Sequence, residues 1–425
     1  MTDKLAIEGG TPVRTAPMPE HWPGALMYGE EEVEAVTRVV RAKSPFREYG
    51  PDLQHEAEKF EAEAAKFFGT KYALGVNSGT SALLCAMAAL GIGPGQEVIV
   101  PGFMWVATVS AVVLFGGVPV LAEIDETYNM DPKDLERKIT PRTAAVIPVH
   151  MRGTTANIPA IMEIARAAGI KVVEDTAQAI GGSVDGKMLG AWGDMGCFSL
   201  QLNKNMTTGE GGLFITNDDM YIQRARAWQD LGFQRDGGRL TAPPGAPIIW
   251  GAGSRMSELT AAIGRVQLRK LPRTIELMHG HQQRVIQGIS DLRCFRFRQI
   301  VDPEGDSGYC VVLRMADGQT ADWFARALRA EGVPSGSGSQ EGLHVYSVMP
   351  NLTEKRSISP SGYPWTHPAN APLVRDYTRG SLPQTDQLMA RFVGIWMPPT
   401  LTEADEQDII AAVRKVAAHV PALDD

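Results

Sequence analysis

Apolar positions recur along this chain in two alternating rhythms. Leu53, Ala57, Phe60, Ala64 and Phe67 follow one another at steps of four and three, with Glu and Lys between them and Gly69 behind. That spacing predicts an amphipathic helix ending at the glycine. Short apolar runs then predict strands at Tyr72–Val76, Glu97–Val100, Val118–Ala122, Ala144–Val149 and Lys171–Val173. Helical stretches at Ser81–Leu90, Thr108–Phe115 and Ile158–Ala168 fall between them. Strands alternating with helices imply an α/β domain whose mostly parallel sheet is flanked by helices.

The rhythm changes near Met256. Ser257–Leu268 and Thr274–Gly288 read as two helices parted by Leu271-Pro272. Strand Tyr309–Arg314 and helices Ala321–Ala330 and Glu403–Ala418 follow, the makings of a smaller α+β unit. The expected division is 1–260 for an N-terminal arm and large domain, and 261–425 for a small C-terminal domain. Residues 335–384 within the latter are rich in Pro, Gly, Ser and Asn. That is long for a structureless connection, so it is a functional loop or holds structure the pattern does not reveal.

Composition narrows the classes. The 425 residues are 44% hydrophobic and 21% charged, a globular balance. A net charge of −8 opposes a nucleic-acid partner held through phosphates. Cys85, Cys197, Cys294 and Cys310 are too far apart for a C-x-x-C site or a disulfide framework, which suits free thiols in a reducing cytoplasm. The first ten residues lack a signal peptide's apolar core, and no apolar run is long enough to span a bilayer. The expectation is a soluble cytoplasmic protein with no membrane partner. His279 and His281, two apart on a helix, point in different directions, and no metal site is expected.

Parallel sheets bind ligands beyond the carboxyl ends of their strands, so those junctions carry the chemistry. Asn77-Ser78-Gly79-Thr80-Ser81 joins a strand to a helix start, where free N–H groups and hydroxyls favour an anion; a plain N-cap is the alternative. Glu174-Asp175-Thr176-Ala177-Gln178 puts an acid at a strand tip, where it needs a cation, donors or a capping role. Lys204 precedes a turn ending in Gly209-Glu210-Gly211-Gly212. It is a surface charge or a partly desolvated amine suited to Schiff-base chemistry.

In this order the motifs resemble the DegT/StrS-type aminotransferases, fold type I pyridoxal-phosphate enzymes that aminate keto-sugars and cyclitols. The resemblance runs from about Ala25 to Ala418. Its most specific pieces are Asn77–Ala82, Glu174–Ala179, Gly193–Ser199, Lys204–Gly212 and Arg255–Leu259. It implies that Lys204 carries pyridoxal 5'-phosphate as a Schiff base and relays the proton. It further implies that Asp175 meets the ring nitrogen and Gln178 the phenolic oxygen. Ser199 with Gly79, Thr80 and Ser81 would hold the phosphate, and Trp105 would stack on the ring. The partners implied are glutamate or glutamine as amino donor, a keto-sugar, keto-cyclitol or related carbonyl as acceptor, and a second copy in a homodimer with shared active sites.

Three departures limit what the resemblance implies, the first of them for the cross-subunit phosphate contact. Gly253 stands where the family usually has an Asn that reaches the partner's phosphate. Gln201-Leu202-Asn203 replaces a common His-Pro-Thr, and Ile180 replaces a common His. Arg152 and Arg47 are candidates for a substrate carboxylate, each with a structural ion pair as its alternative. His367, after Tyr363-Pro364-Trp365-Thr366, is a candidate sugar-pocket wall, with an ordinary surface loop as its alternative. The rival readings are a lyase or dehydratase using the same cofactor, and a non-catalytic scaffold. Lys204 counts against the first, because dehydratase relatives carry His there, and the intact set of Lys204, Asp175, Gln178 and Ser199 counts against the second.

Overall fold

Seven strands build the central sheet: β1 Tyr72–Val76, β2 Glu97–Pro101, β3 Val118–Ala122, β4 Thr143–Val146, β5 Lys171–Asp175, β6 Met195–Ser199 and β7 Gly212–Thr216. The structure is a computed structural model that describes residues 4–423; the outermost residues of the two expected domains lie outside this range. Across the sheet the order is β1-β7-β6-β5-β4-β2-β3, and β7 alone runs antiparallel to its neighbours. β2 and β3 are buried at every residue, as strands covered by helices on both faces must be. β6 and β7 are additions to the sequence reading. Their Gly196 and Gly212 interrupt the apolar pattern because other chain segments press against them. A Cβ on Gly196 would lie 2.2 Å from the Gly190 carbonyl, and one on Gly212 would lie 2.3 Å from that of Ser78.

Pro272 does not divide two helices. A single helix runs Glu258–Ile289 with Pro272 inside it. An interior proline costs about 3 kcal/mol. The helix survives because it is buried along its length. Leu268 and Leu271 join the core around Phe60 and Phe198, while Val285 and Ile289 join the core around Phe324 and Leu313. The division expected at 260/261 therefore falls within one continuous helix that packs into both cores.

The second unit is a four-stranded antiparallel sheet in the order Arg296–Phe297, Cys310–Arg314, Phe392–Trp396, Ser335–Ser337. Helices Gly318–Ala330 and Glu403–Ala417 complete its core. The N-terminal strap belongs here as well. Leu5 and Met18 are part of this core, and the Ala6 and Val13 amides donate to the Glu331 carboxylate at 2.8 and 3.0 Å.

The segment 335–384 is structured. After strand Ser335–Ser337 come three short 3-10 turns, and Tyr346, Met349, Leu352, Trp365 and Tyr377 are buried against Phe103 and Val109 of the large unit. Its backbone is laced to residues 102–104: the Met104 amide donates to the His344 carbonyl at 2.8 Å, and the Tyr346 amide to that of Gly102 at 3.0 Å.

One remote cap anchors the large unit. Helix Glu56–Phe68 starts after His55, whose left-handed φ of 55° leaves no side-chain cap. The buried Glu258 carboxylate serves instead, accepting from the Glu56 and Ala57 amides at 2.7 and 2.9 Å. Replacing Glu258 by Ala leaves two buried donors unmet and is expected to cost about 1–3 kcal/mol. Urea denaturation should show the lowered midpoint, with Glu258→Gln less affected.

Candidate active site

The carboxyl ends of β1, β5 and β6 open into one pocket of about 370 Å³. At the end of β1, Ser78 caps helix Gly79–Leu90 by accepting from the Ser81 amide at 3.1 Å. The Ser81 hydroxyl donates back to Asn77 Oδ1 at 2.6 Å, so Ser81 serves the cap and does not line the pocket. Gly79 and Thr80 do line it, and their amides meet no acceptor among the described residues. Gly79 is required because a Cβ there would lie 2.7 Å from that of Ser199. Ser199, ending β6, thus comes directly against the helix start.

Asp175 ends β5 and is 3% exposed. The Thr108 hydroxyl donates to one carboxyl oxygen at 2.8 Å and the Ala177 amide to the other at 3.2 Å. Burial raises its pKa above the usual carboxylate value, and these donors with the Lys204 charge oppose the rise. Lys204 stands across the pocket on the turn after β6. Burial lowers its pKa to about 8, against the pull of Asp175 and with help from the Arg152 charge. The Lys204 carbonyl accepts from the Gly24 amide at 2.9 Å, so the N-terminal strap holds the lysine's own backbone.

Gln178 lines the same pocket and accepts the Arg152 amide on its Oε1 at 3.2 Å. Trp105 forms a wall, 43% exposed, with the His344 ring 4.8 Å from it. His344 and Thr108 complete the site without having been singled out as members. Thr108 lies one helical turn beyond Trp105, a signal available in the sequence. His344 is 239 positions from Trp105, and only the backbone lacing of 102–104 brings it there.

Three other candidates lie elsewhere. Arg47 forms a buried ion pair with Glu61, at 2.8 and 3.0 Å, and donates to the Gly75 carbonyl at 3.4 Å. It ties helix Glu56–Phe68 to β1. His367 accepts the Ala369 amide at 3.2 Å and meets the Tyr363 ring edge-on, outside the pocket. The Arg152 side chain lines a neighbouring cavity and pairs with Glu341. Among the described residues no cluster of His, Cys, Asp or Glu is placed to hold a metal ion, and no helix is long and apolar enough to cross a membrane.

The residues present fit pyridoxal phosphate. Unmet amides at Gly79 and Thr80, with Ser199 beside them, suit a phosphate at a helix N-terminus. The Lys204 amine makes no hydrogen bond among the described residues and is free to condense with an aldehyde. A protonated ring nitrogen would supply the countercharge that buried Asp175 needs.

Comparison with known proteins agrees. The sequence profile of the DegT/DnrJ/EryC1/StrS aminotransferase family matches residues 27–357. The chain is 32% identical over 445 residues to the L-glutamine:2-deoxy-scyllo-inosose aminotransferase of Streptoalloteichus tenebrarius, covering 98% of both proteins. It is 42% identical over 214 residues to the GDP-perosamine synthase of Caulobacter vibrioides, covering 50% of this chain and 56% of that one. Among solved structures, DesV of S. venezuelae matches with a TM-score of 0.75 and 30% identity, over 92% of this chain and 95% of that one. With lysine, acid and anion cradle gathered at one sheet edge, the chain belongs to the DegT/DnrJ/EryC1/StrS aminotransferase family and is a pyridoxal-phosphate-dependent enzyme of fold type I.

Proposed function

We propose that this aminotransferase moves the amino group of glutamine or glutamate to the carbonyl of a sugar, a cyclitol or a related small molecule. The donor leaves as a keto acid and the acceptor carbonyl becomes an amine. One observation carries the reading: the partly buried Lys204 amine, with its pKa near 8, shares a pocket with the Asp175 carboxyl and the open helix start. The named activities of the Streptoalloteichus and Caulobacter relatives, on a cyclitol and in perosamine synthesis, support the acceptor class.

When bound, pyridoxal phosphate supplies an aldehyde for condensation with amines and a ring that accepts an electron pair. The chain does the rest. Near pH 8 about half of the Lys204 amine is unprotonated, so it can attack a carbonyl and later take and return a proton at the donor's α-carbon. Asp175, oriented by Thr108 and Ala177, holds a positive charge at the pocket floor. The amides of Gly79 and Thr80 with the Ser199 hydroxyl would hold the phosphate. Gln178 would meet the ring's oxygen and Trp105 would cover the ring, both from the pocket wall.

The working unit in this reading is a homodimer with shared sites, supported by Trp250, 96% exposed, and its exposed neighbour Ile248. Four free, buried cysteines support a cytoplasmic setting.

Adding glutamate or glutamine to the purified holoenzyme should convert a visible absorption band to a near-ultraviolet one. A band that never shifts with either donor would overturn the proposed donor reaction. Lys204→Ala should lose the covalent band and reduce turnover about 10³-fold or more. Retention of both would remove Lys204 from its role. In the cofactor-free protein, the rate of pyridoxal phosphate uptake should rise about tenfold per pH unit and level off above about 8, as Lys204 deprotonates. Asp175→Asn removes the charge that favours the ammonium, so its plateau should begin at lower pH.

A further inference from the structure

Beside the cofactor pocket lies a second cavity of about 460 Å³, and Asn203 lines both. Three distant parts of the chain build it. The N-terminal strap brings His21, the turn after β4 brings Arg152, and the second unit brings Tyr309 and Trp396.

The cavity concentrates unmet polar atoms. Both ring nitrogens of His21, Nε of Arg152 and Oδ1 of Asn203 are buried without a hydrogen-bond partner among the described residues. A buried polar group left unmet is a standing cost that a ligand supplying the missing partner removes. Arg152 is fixed on its other sides. Its Nη2 pairs with the Glu341 carboxylate, and its guanidinium lies over the Trp396 ring at 5.8 Å. Its Nε–H has no partner among the described residues, and the residue lines the cavity beside Tyr309. The Arg152 backbone holds a left-handed φ of 54°, a conformation that residues with a side chain rarely adopt. His21 stands edge-on to Tyr309, with ring centroids 4.3 Å apart. Burial and the Arg152 charge push its pKa down to about 3, so the ring is neutral and offers one N–H and one lone pair.

We propose that this cavity is a carboxylate subsite of the aminotransfer site. The Arg152 Nε–H and a His21 N–H hold one carboxylate of a substrate whose reacting carbon extends past Asn203 to Lys204. The inference rests on the aminotransferase reading and deepens it by naming an acidic substrate. Charge count favours a single carboxylate over a diphosphate. The one arginine already shares its charge with Glu341, and His21 is neutral.

The test is calorimetric binding of glutarate and of its neutral diamide, glutaramide, to the holoenzyme. His21→Phe keeps the ring, and Arg152→Lys keeps a cation for Glu341 while losing Nε–H. Both should retain the cofactor band and the wild-type melting temperature. The wild type should bind glutarate at least about tenfold more tightly than glutaramide, and each variant should lose about tenfold for glutarate alone. Equal affinity for the two probes, or variants within about twofold of wild type, would overturn the subsite and favour a neutral polyol ligand.

The two half-reactions then locate the carboxylate. A raised KM for glutamate alone places it on the donor. A raised KM for 5-keto-D-gluconate with the pyridoxamine-phosphate form places it on the acceptor. Unchanged constants in both half-reactions would also overturn the subsite. If the wild type shifted its band with no donor, the aminotransferase reading would fail while the glutarate comparison still gave its own answer.

Discussion

Everything at this site depends on two groups that burial drives toward neutrality and that offset one another across a pocket. Asp175 is pushed up and Lys204 down, and each opposes the other's shift. Neither position is free to drift. The tip of β5 carries Glu174 and Asp175 side by side, and strand alternation sends them to opposite faces. Glu174 turns away from the pocket, accepting from the Gly190, Trp192 and Gly193 amides at 2.9, 2.7 and 2.7 Å and meeting His150 at 3.1 Å. That buried carboxylate pins the turn entering β6, and β6 in turn sets the start of the Lys204 turn. One acid of the pair builds the frame and the other faces the chemistry.

The chemistry-bearing junctions were legible because they are local. A strand end, a small-residue turn and a helix start occupy a few consecutive residues, and the common direction of β1, β5 and β6 brings Gly79, Asp175 and Lys204 to one side of the sheet. Where contacts decide, the pattern was silent. Pro272 reads as a break, yet burial on both halves carries the helix through it. Arg47 and His367 had suitable chemistry, but Glu61 claims the first and a surface loop the second. His344 entered from a segment whose composition predicts a functional loop or structure the pattern does not reveal. Its position depends on main-chain bonds to residues 102–104, which no side-chain pattern records.

The two units are less separate than their sheets suggest. Helix Glu258–Ile289 passes from one core to the other, and the strap near Leu5 is bolted to Glu331 at the far side of the second unit. Glu341 extends the same coupling into the site. It pairs with Arg152, and the His344 ring, on the 3-10 turn that follows, leans on Trp105. Motion of the second unit would therefore be felt at the wall above the cofactor pocket.

The Gly24 amide on the Lys204 carbonyl gives the strap a further meaning. The family profile begins at residue 27, just after this contact, and stops at 357, short of Trp396. The matched span carries the lysine, the acid and Arg152, while His21 and Trp396 lie outside it. The strap that helps wall the second cavity is fastened through Gly24 to the backbone of the pocket's lysine, so a change of residue in the one is felt at the other.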